Sequence, residues 1–312
     1  MPRAVSIHIG VNHPHGPMSD QPLTTPEVVA WRMAEVASQA GYGSTLVLRG
    51  EAATRQAVHD ALTGAAGILA RDDILFVSFC GHGAQERDMD CDEGHGWDEG
   101  WCLKDGHLVD DKLGGYWSLF DAGVRILVVS ESCYAGGVGR TGEEADAPPP
   151  GPKPAPVMRG APFVPPVVAP PGVGGGAGIA YRRRAARSAA AAVNGTHMRS
   201  ARTASFAGSC IASAPSDSHG VRASLLLLAA SHEDRPASEG MFSESLLRVW
   251  DGGAFRGSYC DLHRQVRDLV MTNGSRQDPQ ILMMGAPDPA FPLETAFHLE
   301  PRVPGKAVTY RG

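Results

Sequence analysis

Short apolar runs alternate with segments of helical periodicity over most of this 312-residue chain, and that alternation restricts the fold more than any other feature. SIHIGVN (6–12) is an apolar run of the length of a buried strand. Thr25-Pro26 reads as an N-cap followed by proline at the first helical position. Val29, Met33, Val36 and Ala40 follow at helical spacing, and Gly41 is the stop. STLVLRG (44–50) is a second strand, and Thr54 caps a helix with Ala57, Val58, Ala61 and Leu62 on one face. DILFVSFCGHG (73–83) and VRILVVSESCYAGG (124–137) are third and fourth strands, each running into a glycine-rich turn. RASLLLLAAS (222–231) is a fifth, and QILMMG (280–285) a last. Between them FSESLLRVW and SYCDLHRQVRDLV read as helices, the second capped by Ser258 and closed by Asn273-Gly274. Such alternation predicts a mostly parallel sheet with helices on both faces. Chemistry in such sheets collects at the C-terminal ends of the strands.

One segment breaks the pattern. Eleven of the 24 prolines lie between Pro148 and Pro171, followed by GVGGGAG and YRRRAARSAAAA. From 151 to 210 there is no Asp or Glu, against Lys153 and seven arginines. A stretch of this composition cannot build a packed core. The expected organisation is therefore 1–140 as one half of a domain, 141–220 as a linker, 221–292 as the other half and 293–312 as a tail. With 43% hydrophobic and 20% charged residues, the rest should be globular. A net charge of −6 argues against a wholesale nucleic-acid binder, and RRRAAR alone is a weak signal for one. No apolar run reaches about 18 residues, so no membrane span is expected. Six cysteines are too few for a disulfide scaffold. Met1 leads almost directly into the first strand without a signal-peptide pattern. The expected setting is a reduced cytoplasm.

Two of the predicted strands end in reactive residues: His82, between Gly81 and Gly83, and Cys133, in Cys133-Tyr134-Ala135-Gly136. A thiol nucleophile needs a base to take its proton and an acid to protonate the leaving amine, and one histidine can do both. It also needs N–H donors aimed at the developing oxyanion, and glycine lets a substrate carbonyl come close. Cys80, His82, Cys91, His95, Cys102 and His107 cluster in sequence but show no CxxC or HxxxH spacing, which disfavours zinc. Cys210 and Cys260 carry no motif and read as structural.

These residues carry a resemblance. FVSFCGHGAQERDMDCDEGHGWDEGWCLKDGHLVDDKL, ILVVSESCYAGG, LLAASHEDRPASEG and SYCDLHRQV…QDPQ together resemble the caspase-like clan of cysteine peptidases. Within the clan they are most similar to metacaspases and their bacterial relatives. Cys133 follows His82 by 51 positions, near the caspase spacing of about 50. The resemblance covers about 1–140 and 220–290. It implies a three-layer α/β/α sandwich around a mostly parallel six-stranded sheet. It implies a thiol peptidase with Cys133 as nucleophile, His82 as general acid–base, and the N–H groups of Gly83 and Cys133 as oxyanion donors.

In metacaspases an acid two residues before the cysteine lines a pocket for Arg or Lys; Glu131 stands there, and a carboxylate pairs well with a guanidinium. The family's second acid has no counterpart in TTPEVVAWRM, so Asp234 or Glu233 is the candidate for that charge. Calcium is implied at acids matching Asp98, Asp110 and Asp111, although the further acid after the cysteine is replaced by GVGRT with Arg140. The spacing of Asp88, Asp90, Asp92 and Glu99 imitates an EF-hand, but Glu93 stands where that loop needs glycine. No organic cofactor is implied. Partners would be protein or peptide substrates with basic residues, and an upstream activating protease is an option. Residues 86–111 carry ten acids against Arg87 and Lys104, while the 151–210 segment is purely cationic. A zymogen follows from this reading, its linker lying near the cleft until cut after Arg184, Arg187, Arg199 or Arg202. The alternative is a catalytically silent adaptor of the same fold.

Overall fold

The computed structural model describes residues 2–16, 19–87, 97–133, 212–213, 220–232, 236–272 and 277–299. All of them belong to one compact unit formed by Met1–Ala161 and Ser209–Gly312. In chain order the elements are β1 (Ala4–Gly10), α1 (Pro26–Gln39), β2 (Ser44–Arg49), α2 (Arg55–Ala66) and β3 (Ile74–Cys80). There follow β4 (Gly83–Arg87), β5 (Trp97–Leu103), β6 (Gly106–Val109), α3 (Asp110–Trp117) and β7 (Arg125–Glu131). The remainder is β8 (Ala212–Ser213), β9 (Ser224–Ala229), α4 (Met241–Trp250), α5 (Tyr259–Thr272) and β10 (Gln280–Gly285).

The expected sheet is present, in the order β2-β1-β3-β7-β9-β10, with the two-residue β8 added at the β10 edge. Every neighbouring pair from β2 to β9 is parallel, and β10 runs antiparallel to β9. The unbroken apolar runs of β3, β7 and β9 follow from burial on both faces. Side chains alternate between the two faces. Phe76, Leu127, Val129, Leu226 and Leu228 pack toward α1, α4 and α5. Leu75, Val77, Ile126, Val128, Leu225 and Leu227 pack toward α2 and α3. Those are the three layers.

Two caps match their sequence signals and one does not. Thr54 Oγ1 accepts from Ala57 N at 3.1 Å. Ser258 and Asp261 bond reciprocally at the start of α5. Thr25 makes no cap bond; its hydroxyl donates to Glu239 instead, and Asn12 Oδ1 accepts from Glu27 N at 3.1 Å. The closing Asn273-Gly274 lies outside the described residues.

Two features depart from the expected layout. The region after β3 is more than a turn: β4, β5 and β6 form a separate three-stranded antiparallel sheet. The chain beyond 293 is also no simple tail. Phe291, Ala296 and Phe297 are buried, Phe297 N donates to Tyr259 Oη at 3.1 Å, and Glu294 pairs with the buried Arg125 at 2.5 Å. These aromatic rings need cover, and the core provides it. Among the described residues no helix is long and apolar enough to cross a membrane.

His8, inside β1, gives the sheet a pH dependence. Its Nδ1 lies 2.8 Å from Ser78 Oγ, its Nε2 has no partner among the described residues, and burial lowers its pKa to about 3. The folded-state value is below that of a free imidazole, so the stability it supports is full above about pH 6.5 and declines as pH falls toward 3. The slope is about 1.4 kcal/mol per pH unit. The unfolding free energy of the native chain minus that of His8→Leu should therefore shrink by about 2 kcal/mol between pH 7.5 and pH 5. Urea titrations at both pH values measure this, and an unchanged difference would show that the ring is not held neutral.

Candidate active site

The two central strands carry the candidate dyad to one end of the sheet. Cys80 and Glu131 pair across β3 and β7, and Gly81 N donates to Glu131 O at 3.1 Å, so the strands stay paired to their tips. His82 follows immediately, with its carbonyl accepting from Cys102 N at 3.0 Å. Cys133 lies two residues past the end of β7. The backbones of the two motifs touch: a Cβ on Gly83 would stand 2.0 Å from the Cys133 carbonyl oxygen.

His82 is buried, and its Nε2 is 2.7 Å from the Gln21 carbonyl oxygen. A carbonyl only accepts, so Nε2 carries the hydrogen and Nδ1 is the basic nitrogen. Nδ1 is buried with no partner among the described residues. Burial holds the His82 pKa below the usual imidazole value; the Gln21 carbonyl and the Glu239 charge oppose that shift.

Cys133 is buried against the backbone of Ala237, whose N–H points at Sγ from 3.4 Å. Burial pushes its thiol up to about 11. The resting sulfur is therefore a thiol. Gly83 pairs with Trp101, and the ladder bond falls one residue earlier, at His82 and Cys102. The Gly83 N–H thus points away from β5. Tyr134, Ala135 and Gly136 lie outside the described residues.

Glu131 requires a correction. It is wholly buried, and it accepts from Phe242 N at 2.9 Å, Ser243 N at 3.3 Å and Cys80 Sγ at 3.6 Å. The cause is α4, which starts at Gly240 in the left-handed conformation with no side chain to cap it. Its first N–H groups need an acceptor, and Glu131 supplies one. Burial raises this carboxyl to about 7, while its hydrogen bonds pull the other way. Glu131 ties the cysteine strand to α4 and does not line an open pocket.

A different acid stands beside the dyad. Glu239 Oε1 accepts from the N–H and hydroxyl groups of both Thr24 and Thr25, at 2.5–3.0 Å. Its Thr partners follow Gln21, which holds His82, and it follows Ala237, which touches Cys133. Sequence reasoning missed Gln21, Ala237 and Glu239. The first two act through backbone atoms, which leave no mark in side-chain patterns. Glu239 sits in the quoted ASEG segment but without a motif of its own.

Of the three calcium candidates, the Asp110 and Asp111 side chains are among the described residues. Asp110 is buried at the start of α3 and accepts from Asp111 N at 3.1 Å, while Glu99 takes a bond from Gln85. Among the described residues no group of three or more His, Cys, Asp or Glu is arranged to hold a metal ion. Asp98 belongs to β5, but its side chain lies outside the described residues. So do Asp88, Asp90, Asp92, Glu93, Arg140, Glu233, Asp234, Arg184, Arg187, Arg199 and Arg202.

Residues 42–140 match the model of the metacaspase, peptidase C14 domain. Metacaspase-1 of Pyricularia oryzae is 39% identical over 71 residues, which is 21% of this chain and 18% of that protein. Metacaspase-1 of Schizosaccharomyces pombe is 34% identical over 89 residues, 27% of this chain and 21% of that protein. The matched stretch thus spans about a fifth of those relatives. A crystal structure of a Geobacter sulfurreducens protein is 25% identical with a TM-score of 0.61, covering 96% of this chain and all of that one. The segment that holds both His82 and Cys133 is thus similar to the metacaspase, peptidase C14 domain, and part of this chain is similar to fungal metacaspases.

Proposed function

We propose that the chain is a cysteine endopeptidase that cuts after basic residues with a Cys133–His82 dyad. The carrying observation is His82 itself. Its Nε2–H is spent on Gln21, its basic Nδ1 is buried with no partner among the described residues, and its neighbour Gly83 packs on Cys133. As Cys133 Sγ attacks the scissile carbonyl carbon, Nδ1 takes the thiol proton. With the thiol held near 11, this transfer belongs to the attack and does not precede it. The N–H groups of Gly83 and Cys133 stabilise the tetrahedral oxyanion. His82 returns the proton to the leaving amine, and water activated by the same nitrogen then hydrolyses the thioester.

For the basic preference the charge at hand is Glu239, because Glu131 is sealed by α4. The cationic 151–210 segment contains arginines an Arg-directed peptidase would cut, which supports processing at Arg184, Arg187, Arg199 or Arg202. Cleavage profiling of a peptide library tests the reading. Arg and Lys should dominate before the cut, and Glu239→Gln, which keeps the acceptor for four donors and loses only charge, should reduce that preference about tenfold. A preference for Asp or for apolar side chains would refute the specificity, and no cleavage that depends on Cys133 would refute the activity.

A further inference from the structure

We propose that Trp101 is a positioning residue for Cys133, gripping the strand end that carries the thiol and fixing it relative to His82. The kinetic consequence rests on the peptidase reading above; the geometry does not.

Trp101 belongs to the ladder that holds the base. It is paired with Gly83, and the next residue, Cys102, donates to the His82 carbonyl. The indole is fully buried and stacked on Phe79, with ring centroids 4.7 Å apart and planes 9° from parallel. Its Nε1–H donates to Ser130 Oγ at 3.1 Å, and Ser130 Oγ lies 3.4 Å from Ser132 Oγ. Ser231 Oγ donates to the Ser132 carbonyl at 3.3 Å, and Ala230 N to the Ser130 carbonyl at 2.9 Å. The two residues just before Cys133 on one face of β7 are thus held from three sides.

The arrangement acts on the face opposite the chemistry. Ser130 follows Ile126 and Val128 toward the α2–α3 layer, where Trp101 lies. Cys133 packs in the other layer, with α4. A grip from behind fixes the strand tip and leaves the sulfur to its base and substrate. A phenylalanine would keep an aromatic ring against Phe79 but is smaller and has no N–H, and a buried indole N–H needs an acceptor. Here the acceptor lies three residues from the nucleophile. The path His82–Cys102–Trp101–Ser130–Ser132–Cys133 joins the two members of the dyad through buried contacts. Misplacement of a reacting group by about 1 Å can cost about a hundredfold in rate, so this path is one through which a remote change would be felt.

The test uses the full chain with Trp101→Phe, Ser130→Ala and the double variant, each counted by active-site titration with an irreversible Arg-peptide electrophile. In Trp101→Phe, kcat per titrated site should fall about tenfold or more with KM within about twofold. Alkylation of Cys133 by iodoacetamide, followed at that residue by mass spectrometry, should slow, with its pH midpoint shifted. The double variant should be no slower than the worse single variant, because both remove one bond. Ser132→Ala is the milder substitute if Trp101→Phe does not fold, with the same direction expected. Unchanged kcat per titrated site and unchanged alkylation, with only a lowered Tm, would make Trp101 merely structural and overturn the proposal. So would multiplicative effects of the two single variants. If the native chain cleaves no peptide, the peptidase reading fails, while the alkylation rates still decide whether Trp101 positions the thiol.

Discussion

Cys133→Ala and His82→Ala are each expected to lower peptide cleavage by roughly 10⁴-fold or more while the fold survives. The size follows from how the two groups depend on each other. Burial holds the thiol near 11, so at neutral pH almost no thiolate forms without a base. Burial also lowers the His82 pKa, which keeps the imidazole neutral and able to accept a proton. Either group alone is nearly inert. The double variant should therefore be no slower than the singles, as for residues that act as one unit. The fold should tolerate both changes. Cys133→Ala removes one sulfur from a large cluster, and His82→Ala frees a Gln21 carbonyl, at a cost of about 1–3 kcal/mol. Turnover of an Arg peptide, with circular dichroism on the same samples, measures both points. Turnover near the native level in Cys133→Ala would remove the nucleophile assignment.

The strands that place these residues could be read from the chain, and much of their surroundings could not. β3 and β7 are seven-residue runs buried on both faces, and such runs announce themselves in sequence. His82 and Cys133 stood out because each lies at a strand end that runs into a glycine-containing turn. The small sheet was hidden because β4 and β5 are rich in charged residues, a composition that reads as an acidic loop. Glu131 was legible as an acid two residues before the cysteine, but its role depends on α4, which comes after the long 141–220 stretch. A carboxylate looks the same in sequence whether it faces a substrate or caps a helix. Gln21 was invisible for a simpler reason: its carbonyl, not its side chain, meets His82.

Gly83→Ala should damage activity strongly, though less than loss of the dyad, and Gly81→Ala far less, although both alter the same GHG motif. A Cβ at Gly83 would stand 2.0 Å from the Cys133 carbonyl oxygen, 3.0 Å from its carbonyl carbon and 3.3 Å from its nitrogen. All three are backbone atoms of Cys133, and none can rotate away. An ordinary contact needs more than an ångström of extra room, so the tips of β3 and β7 must part. That shift moves the N–H groups of Gly83 and Cys133 together with the sulfur, against catalysis that requires each within a fraction of an ångström. At Gly81 the nearest atom to a new Cβ is Phe79 Cζ at 2.9 Å, the far end of a side chain. That ring is stacked on Trp101 and can shift only slightly, but it is not the reacting backbone. We therefore expect Gly83→Ala to lower kcat per titrated site by about a hundredfold or more, and Gly81→Ala by less than about tenfold. The decisive comparison is between the two variants in one assay, because any general intolerance of the turn affects both. If they lose activity equally, the contact between Gly83 and Cys133 does not set the geometry of the site.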